Sequence, residues 1–238
     1  MRSATEVVKN IIIINVLFFI ASMAIPSLET YLAGYYWESP NFRPWQIITH
    51  MFMHGGISHI FFNMYGLYIF GTVLESHWGP KKFLTYYIVS GLGAFFLHNA
   101  MTYYELSQVI HRLSPEEWDR VRSEGAEALS QAKNYIDPVM ARANSVLNTG
   151  MVGASGAVFG ILLAFGVLFP NVELMLLFPP IPLKARWLVI GYGAIELFSA
   201  MRGSPGDNVA HFAHLGGMIT GYLLLKYWQR EEDQRQSW

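Results

Sequence analysis

Cysteine is absent from all 238 residues. Its absence excludes a disulfide framework, a thiol nucleophile and a thiolate metal site. Charge is also scarce: 14% of the residues are Asp, Glu, Lys or Arg, against 53% hydrophobic, where a soluble domain carries roughly a quarter charged. With a mean hydropathy of +0.28, this composition describes a membrane protein. A formal net charge of -1 supplies no basic surface, so no nucleic-acid partner is expected. Internal repeats and low-complexity tracts are lacking as well.

What is present is a set of long apolar stretches, near 9–26, 57–76, 82–101, 151–169, 185–202 and 208–227. Each approaches the roughly 20 residues that one bilayer crossing needs. None shows the period-2 alternation of a membrane barrel, so helices are expected. The predicted fold is an all-α membrane protein, a single domain over 1–238 with six spans.

Positive charge sets the orientation. Arg2 and Lys9, then Lys81 and Lys82, then Lys184 and Arg186, then Lys226, Arg230 and Arg235 fall on one side. By the positive-inside rule both termini are cytoplasmic. The N-terminal run lacks a small-residue cleavage site and transit-peptide composition, which predicts a retained anchor. Composition favours a bacterial inner membrane, with lipid as the surrounding partner.

Two connections stand out. The segment from Ser27 to Gly56 is rich in rings (Tyr31, Tyr35, Tyr36, Trp37, Phe42, Trp45, Phe52) and suits the membrane interface. The outer insertion at 102–149 contains Ser114-Pro115-Glu116-Glu117, an N-cap followed by proline at the first helical position and glutamate at the third. Trp118, Val121 and Leu129 can line one side of that helix, which predicts an interfacial cover helix. Further on, the prolines in 178–182 mark a break at the membrane boundary.

Polar groups inside spans are costly and mark functional sites. Ser155 sits among Gly153, Gly156 and Gly160 at the head of the fourth span. It is either a small packing residue or a nucleophile with space around its hydroxyl. In the sixth span His211 and His214 lie three apart, followed by Gly217 and Gly221 on a smooth helix face. If that face docks on the fourth span, His214 can take a proton from Ser155. His211 suits a structural bond to a neighbouring carbonyl. Entering the second span, His59 and Asn63 are four apart and can donate to an oxyanion; His50 and His54 suit loop-bracing hydrogen bonds.

Other chemistries fit less well. No His-Glu pair occurs, so His-Glu-x-x-His fails. No cysteine or neighbouring carboxylate in the sequence helps His211 and His214 to hold a metal, so neither metal nor cofactor is expected. The four aspartates, Asp119, Asp137, Asp207 and Asp233, lie outside the spans or at their ends, against an aspartyl mechanism. Asp207 is two helical turns, roughly 10 Å, before His214, so a Ser–His dyad is expected rather than a triad.

The chain resembles the rhomboid intramembrane serine proteases. Four matches carry this: Gly153-Ala154-Ser155-Gly156; Ala213-His214-Leu215-Gly216-Gly217 with Gly221; His54, His59 and Asn63; and Gly71 with Glu75. Their order and frame cover nearly the whole chain. The resemblance implies a six-transmembrane-helix bundle with a membrane-embedded first loop at 27–56. It implies a nucleophile at Ser155, a general base at His214, and an oxyanion hole from His59, Asn63 and the Ser155 backbone N–H. It further implies that Phe159 packs on the catalytic imidazole, that Gly217 and Gly221 are packing glycines, and that Glu75 is a structural brace. Span five with the loop Arg202–Asn208 resembles a mobile gate. The substrates implied are transmembrane proteins, cut in or near their helices. Two departures are Trp45-Gln46 where the family usually has Trp-Arg, and the long outer insertion.

Two rival readings stand beside the protease. One is a non-catalytic rhomboid-like protein that binds single-span clients; relatives of that kind lose the serine or the histidine, and this chain has both. The other is a small transporter, for which the repeat symmetry and broken helices are lacking.

Overall fold

The computed structural model describes residues 3–175, 180–202 and 210–236. Helix α1 (Glu6–Ala24) begins on a carboxylate that arrives from far along the chain. Glu75 Oε1 accepts the Val7 N–H at 3.0 Å; its Oε2 accepts the Val8 N–H at 2.9 Å and the Thr5 hydroxyl at 2.5 Å. First-turn N–H groups have no acceptor within their own helix, and a negative charge there complements the helix dipole.

The first connection holds two short helices, α2 (Ser27–Leu32) and α3 (Gln46–Thr49), with a 3₁₀ turn over His50–Phe52. Fully buried Gln46 ties it together. Its amide nitrogen donates to the carbonyls of Asn41 (3.0 Å) and Tyr31 (3.2 Å), and its amide oxygen accepts the Arg43 N–H (3.0 Å). A neutral amide thus braces this loop where an arginine would be usual.

Helices α4 (Ile57–Gly66) and α5 (Thr72–Trp78) are joined by a π turn at Leu67–Gly71. Helix α6 (Pro80–Ile110) runs well past its expected end near 101. Its outer turns carry the insertion, which is a pair of helices, α7 (Pro115–Ser130) and α8 (Pro138–Asn148), where the sequence pointed to one. The capping box at Ser114 and Glu117 forms in both directions, at 2.8 and 3.2 Å. Val121, Met140, Ala143 and Leu147 bury against Leu106 of α6 and Tyr36 of the first connection. An amide ladder continues the contact: Asn144 donates to Asn134 (3.0 Å), Asn148 to Asn144 (2.9 Å), and the Ser39 hydroxyl to Asn148 (3.0 Å). The insertion is therefore a cap fastened to the first connection.

Helix α9 (Ser155–Leu168) follows. A two-stranded ribbon, β1 (Glu173–Met175) antiparallel to β2 (Pro182–Lys184), departs from the all-α expectation. Phe178 and Pro179 of the expected break lie outside the described residues. Helices α10 (Ala185–Arg202) and α11 (His211–Gln236) complete the fold. Residues 203–209, which include Asp207 and most of the expected gate loop, are also outside the described residues.

Helix α9 is central, packed against α6, α10 and α11, with Ala157, Ile161, Ala164 and Phe165 buried. Its glycines set the closeness. A Cβ on Gly217 would overlap the Gly156 carbonyl, and one on Gly156 would overlap Ala94 Cβ. The Tyr86 hydroxyl donates to the Gly160 carbonyl at 3.0 Å and would block a side chain at Gly221. Among the described residues, two helices are long and apolar enough to cross a membrane, Glu6–Ala24 and Ile57–Trp78; Ser155–Leu168 is a shorter apolar helix.

Candidate active site

The approach to Ser155 is extended and pinned by the first connection. Gly34 and Met151 exchange two N–H···O bonds of 2.8 Å, and the Gly153 N–H donates to the His50 carbonyl at 3.0 Å. Gly153 then turns with φ +126°. A side chain at 153 would also meet His59 Nε2 at 2.8 Å, so glycine meets both demands. The turn makes Ser155 the first residue of α9, where its backbone N–H has no acceptor inside the helix and is free for a ligand.

Helix α11 brings His214 to this point. Its Nε2 lies 2.8 Å from Ser155 Oγ. Phe159, one turn into α9, stacks on the imidazole with centroids 4.2 Å apart and planes at 8°. The imidazole is thereby confined to one plane, and His214 is 8% exposed.

A carboxylate occupies the other edge of the same ring. Glu196 of α10, itself buried, places Oε2 2.9 Å from His214 Nδ1 and 2.6 Å from His211 Nδ1. The His211 contact is a formed hydrogen bond. The His214 contact has hydrogen-bond length but an oblique approach, short of full alignment. His211 Nδ1 thus meets a carboxylate, where the sequence setting pointed to a backbone carbonyl.

His59 accepts the Gly55 N–H at Nδ1 (3.4 Å), which assigns its own proton to Nε2, the nitrogen near Gly153. Asn63 turns its amide onto its own helix and donates to the His59 carbonyl at 2.9 Å. The structure therefore brings His59 close to the serine and leaves Asn63 one turn behind it. His54 packs edge-on against His59, with centroids 5.0 Å apart. Neither of its ring nitrogens makes a fully aligned hydrogen bond; its bracing contact is with the Phe52 backbone. His50 does brace the loop: its Nδ1 lies 2.8 Å from the Gln46 carbonyl, and its own carbonyl holds Gly153.

Glu196, His211 and His214 offer one ligand atom each within 4.8 Å of one another, so a carboxylate does stand beside the histidines. Ligand atoms around a tetrahedral zinc, each about 2.0–2.2 Å from it, sit farther apart than the 2.6 and 2.9 Å found here. These separations are those of N–H···O bonds.

The rhomboid domain matches residues 41–111 and 127–230, well over half of the chain. The chain belongs to the rhomboid family. This rhomboid chain is 26% identical over 181 residues to the rhomboid protease AarA of Providencia stuartii, covering 76% of the chain and 54% of that relative. It is 31% identical over 174 residues to the mitochondrial RHOMBOID-like protein 12 of Arabidopsis thaliana, covering 72% of the chain and 42% of the relative. It is 26% identical over 195 residues to the putative rhomboid protease YdcA of Bacillus subtilis, covering 81% and 71%. The chain thus spans about half the length of the first two. The family also includes members named inactive. Relatives named as mitochondrial stand beside bacterial ones, which removes the support for a bacterial inner membrane over other membranes.

The break between the two matched segments, at 112–126, falls at the start of the insertion helix α7. Glu196 was not among the residues the sequence singled out. The signal for it was a single carboxylate within Ile195-Glu196-Leu197-Phe198, inside the apolar stretch expected as the fifth span.

Proposed function

We propose that this chain is an intramembrane serine endopeptidase that hydrolyses peptide bonds in or near the transmembrane helices of membrane-protein substrates. The observation that carries the reading is the 2.8 Å contact between Ser155 Oγ and His214 Nε2, made between two tightly docked helices. Helices α1, α4–α5, α6, α9, α10 and α11 are read as six spans, with both termini cytoplasmic. Large apolar side chains on their outer faces support this: Leu17, Ile20, Phe62, Ile190, Phe198 and Leu223 are each more than half exposed and are suited to lipid.

In the reaction, Ser155 Oγ bonds to the scissile carbonyl carbon while its proton passes to His214 Nε2. The carbonyl π pair moves onto oxygen. In this reading the Ser155 N–H and the His59 Nε2–H donate to that oxyanion, and Asn63 adds a donor. The oxyanion pair then re-forms the carbonyl as the C–N bond breaks and the leaving amine takes the proton from His214 Nε2; water, deprotonated by His214, hydrolyses the acyl-enzyme by the same path and releases Ser155. A hydrogen-bonded substrate helix hides its carbonyls, so substrates with small or helix-breaking residues near the cut should react faster.

The test is cleavage of a labelled single-span substrate by the purified protein in lipid. Wild type is expected to cut, and neither Ser155→Ala nor His214→Ala is. Asn63→Ala is expected to be about 10–1,000-fold slower at most. Cleavage by Ser155→Ala would overturn the nucleophile. No cleavage by any form, across several helix-breaking substrates, would move the protein to the client-binding reading.

A further inference from the structure

We propose that Glu196 is the positioning residue for His214, making the site a serine–histidine–carboxylate triad rather than a dyad, with His211 holding the carboxylate in place. The inference rests on the protease reading of Ser155 and His214. It begins from what the imidazole needs. To accept the serine proton at Nε2, neutral His214 must carry its own proton on Nδ1. That nitrogen is buried and makes no aligned hydrogen bond, and Glu196 Oε2, 2.9 Å away, is the acceptor within reach.

Stacking on Phe159 does not solve this problem. A parallel ring at 4.2 Å fixes the plane of the imidazole but not its rotation within that plane, nor which nitrogen bears the proton. An anion at one edge and the serine hydroxyl at the other fix both. As the proton leaves Ser155 Oγ for Nε2 and the new C–O bond forms, the ring becomes a cation. Glu196, ionised throughout, then faces that cation in a medium of low dielectric, where opposite charges attract far more strongly than in water. The proton later leaves Nε2 for the amine, and Nδ1 keeps its own.

His211 explains how such a carboxylate is held. It bonds the same oxygen at 2.6 Å from the first turn of α11, so Glu196 is tied to the helix that carries His214. The oblique approach to His214 is a state from which a small rotation aligns the bond; catalytic hydrogen bonds are often poorly aligned before substrate binds. The rival reading is that Glu196 only pairs with His211 and docks α10 on α11.

The experiment uses the full-length protein in lipid with Glu196→Gln, Glu196→Asp and His211→Gln. Three quantities are read: kcat and KM on a single-span substrate, thermal stability, and the ¹⁵N resonances of the His214 ring. In wild type the ring proton is expected on Nδ1. An amide can present its NH₂ to Nδ1 and favour the wrong tautomer, so Glu196→Gln is expected to lower kcat about 10²–10⁴-fold. KM should stay within about twofold, and the proton should no longer be fixed on Nδ1. Glu196→Asp keeps the charge and should retain more activity than Glu196→Gln. His211→Gln should cost far less than Glu196→Gln. Two results would overturn the inference: a Glu196→Gln kcat within about threefold of wild type, or parallel losses of kcat and stability in Glu196→Gln and His211→Gln with the His214 tautomer unchanged. If wild type cuts nothing, the protease reading fails separately. The tautomer measurement would still decide whether Glu196 sets the state of His214.

Discussion

Gly217 of α11 lies directly against the carbonyl of Gly156 in α9, with no space for a Cβ between them. This contact sets the distance between the helices that carry His214 and Ser155. Because the obstacle is backbone on a buried helix, it cannot swing away as a side-chain tip can. Gly217→Ala is expected to destabilise the fold by about 1–3 kcal/mol, as overpacking does, and to lower activity by separating the pair. Gly191→Ala of α10 is the control, since nothing lies within 4 Å of its added Cβ; it should be neutral or stabilising by up to about 1 kcal/mol. Thermal unfolding of both variants checks this, and equal midpoints would refute it.

Phe159 and His214 form a flat stack, so the ring's contribution should appear in rate more than in stability. An aromatic pair contributes about 0.5–1.5 kcal/mol, which corresponds to at most about tenfold in rate. Phe159→Ala is expected to lower kcat by roughly that factor, while Phe159→Tyr keeps most of it. A Phe159→Ala enzyme as fast as wild type would show that the imidazole is held without the ring.

Glu75 caps α1 from a different helix. In Glu75→Gln the amide NH₂ group must face the backbone N–H groups of Val7 or Val8, donor against donor. Lost charge-assisted bonds of this kind cost about 1.5–3 kcal/mol. The expected result is a lower unfolding midpoint and faster amide exchange at Val7 and Val8, with unchanged kcat in the folded fraction. Unchanged exchange at both residues would sink the prediction.

Asn148 links the insertion to the first connection through Ser39. That connection in turn pins Met151 and Gly153 ahead of the serine. Asn148→Leu removes the polar link and keeps the bulk. Hydrogen exchange is expected to rise across 36–42 and α8, and kcat to fall only a few-fold. Protection that stayed at the wild-type level would show that the Tyr36 contact alone fastens the cap.

Ser155 and His214 were legible in the sequence because small residues and an imidazole in apolar runs leave few chemical roles. The helix start at Ser114 was legible for a local reason: a capping box uses residues three apart. Helix α8 was not, because its inward face is partly amide and its partners Ser39 and Tyr36 are distant in the chain. Gln46 stands where the family usually has arginine; its backbone partners at Arg43, Thr30, Tyr31 and Asn41 become visible only once the loop closes around it.

The sequence by itself determined the membrane class, the helical character and the two residues of the proposed chemistry, because composition and local periodicity follow from solvent and backbone geometry. Only the tertiary structure decided which carboxylate meets His214. The sequence pointed to a dyad with no carboxylate, yet Glu196, 18 residues before His214 and on a neighbouring helix, stands 2.9 Å from its Nδ1. The physical reason is that helix docking, set by Gly156 against Gly217 and by the packing of α10 on α9, places side chains by their distance across the bundle. That distance is not written in their separation along the chain.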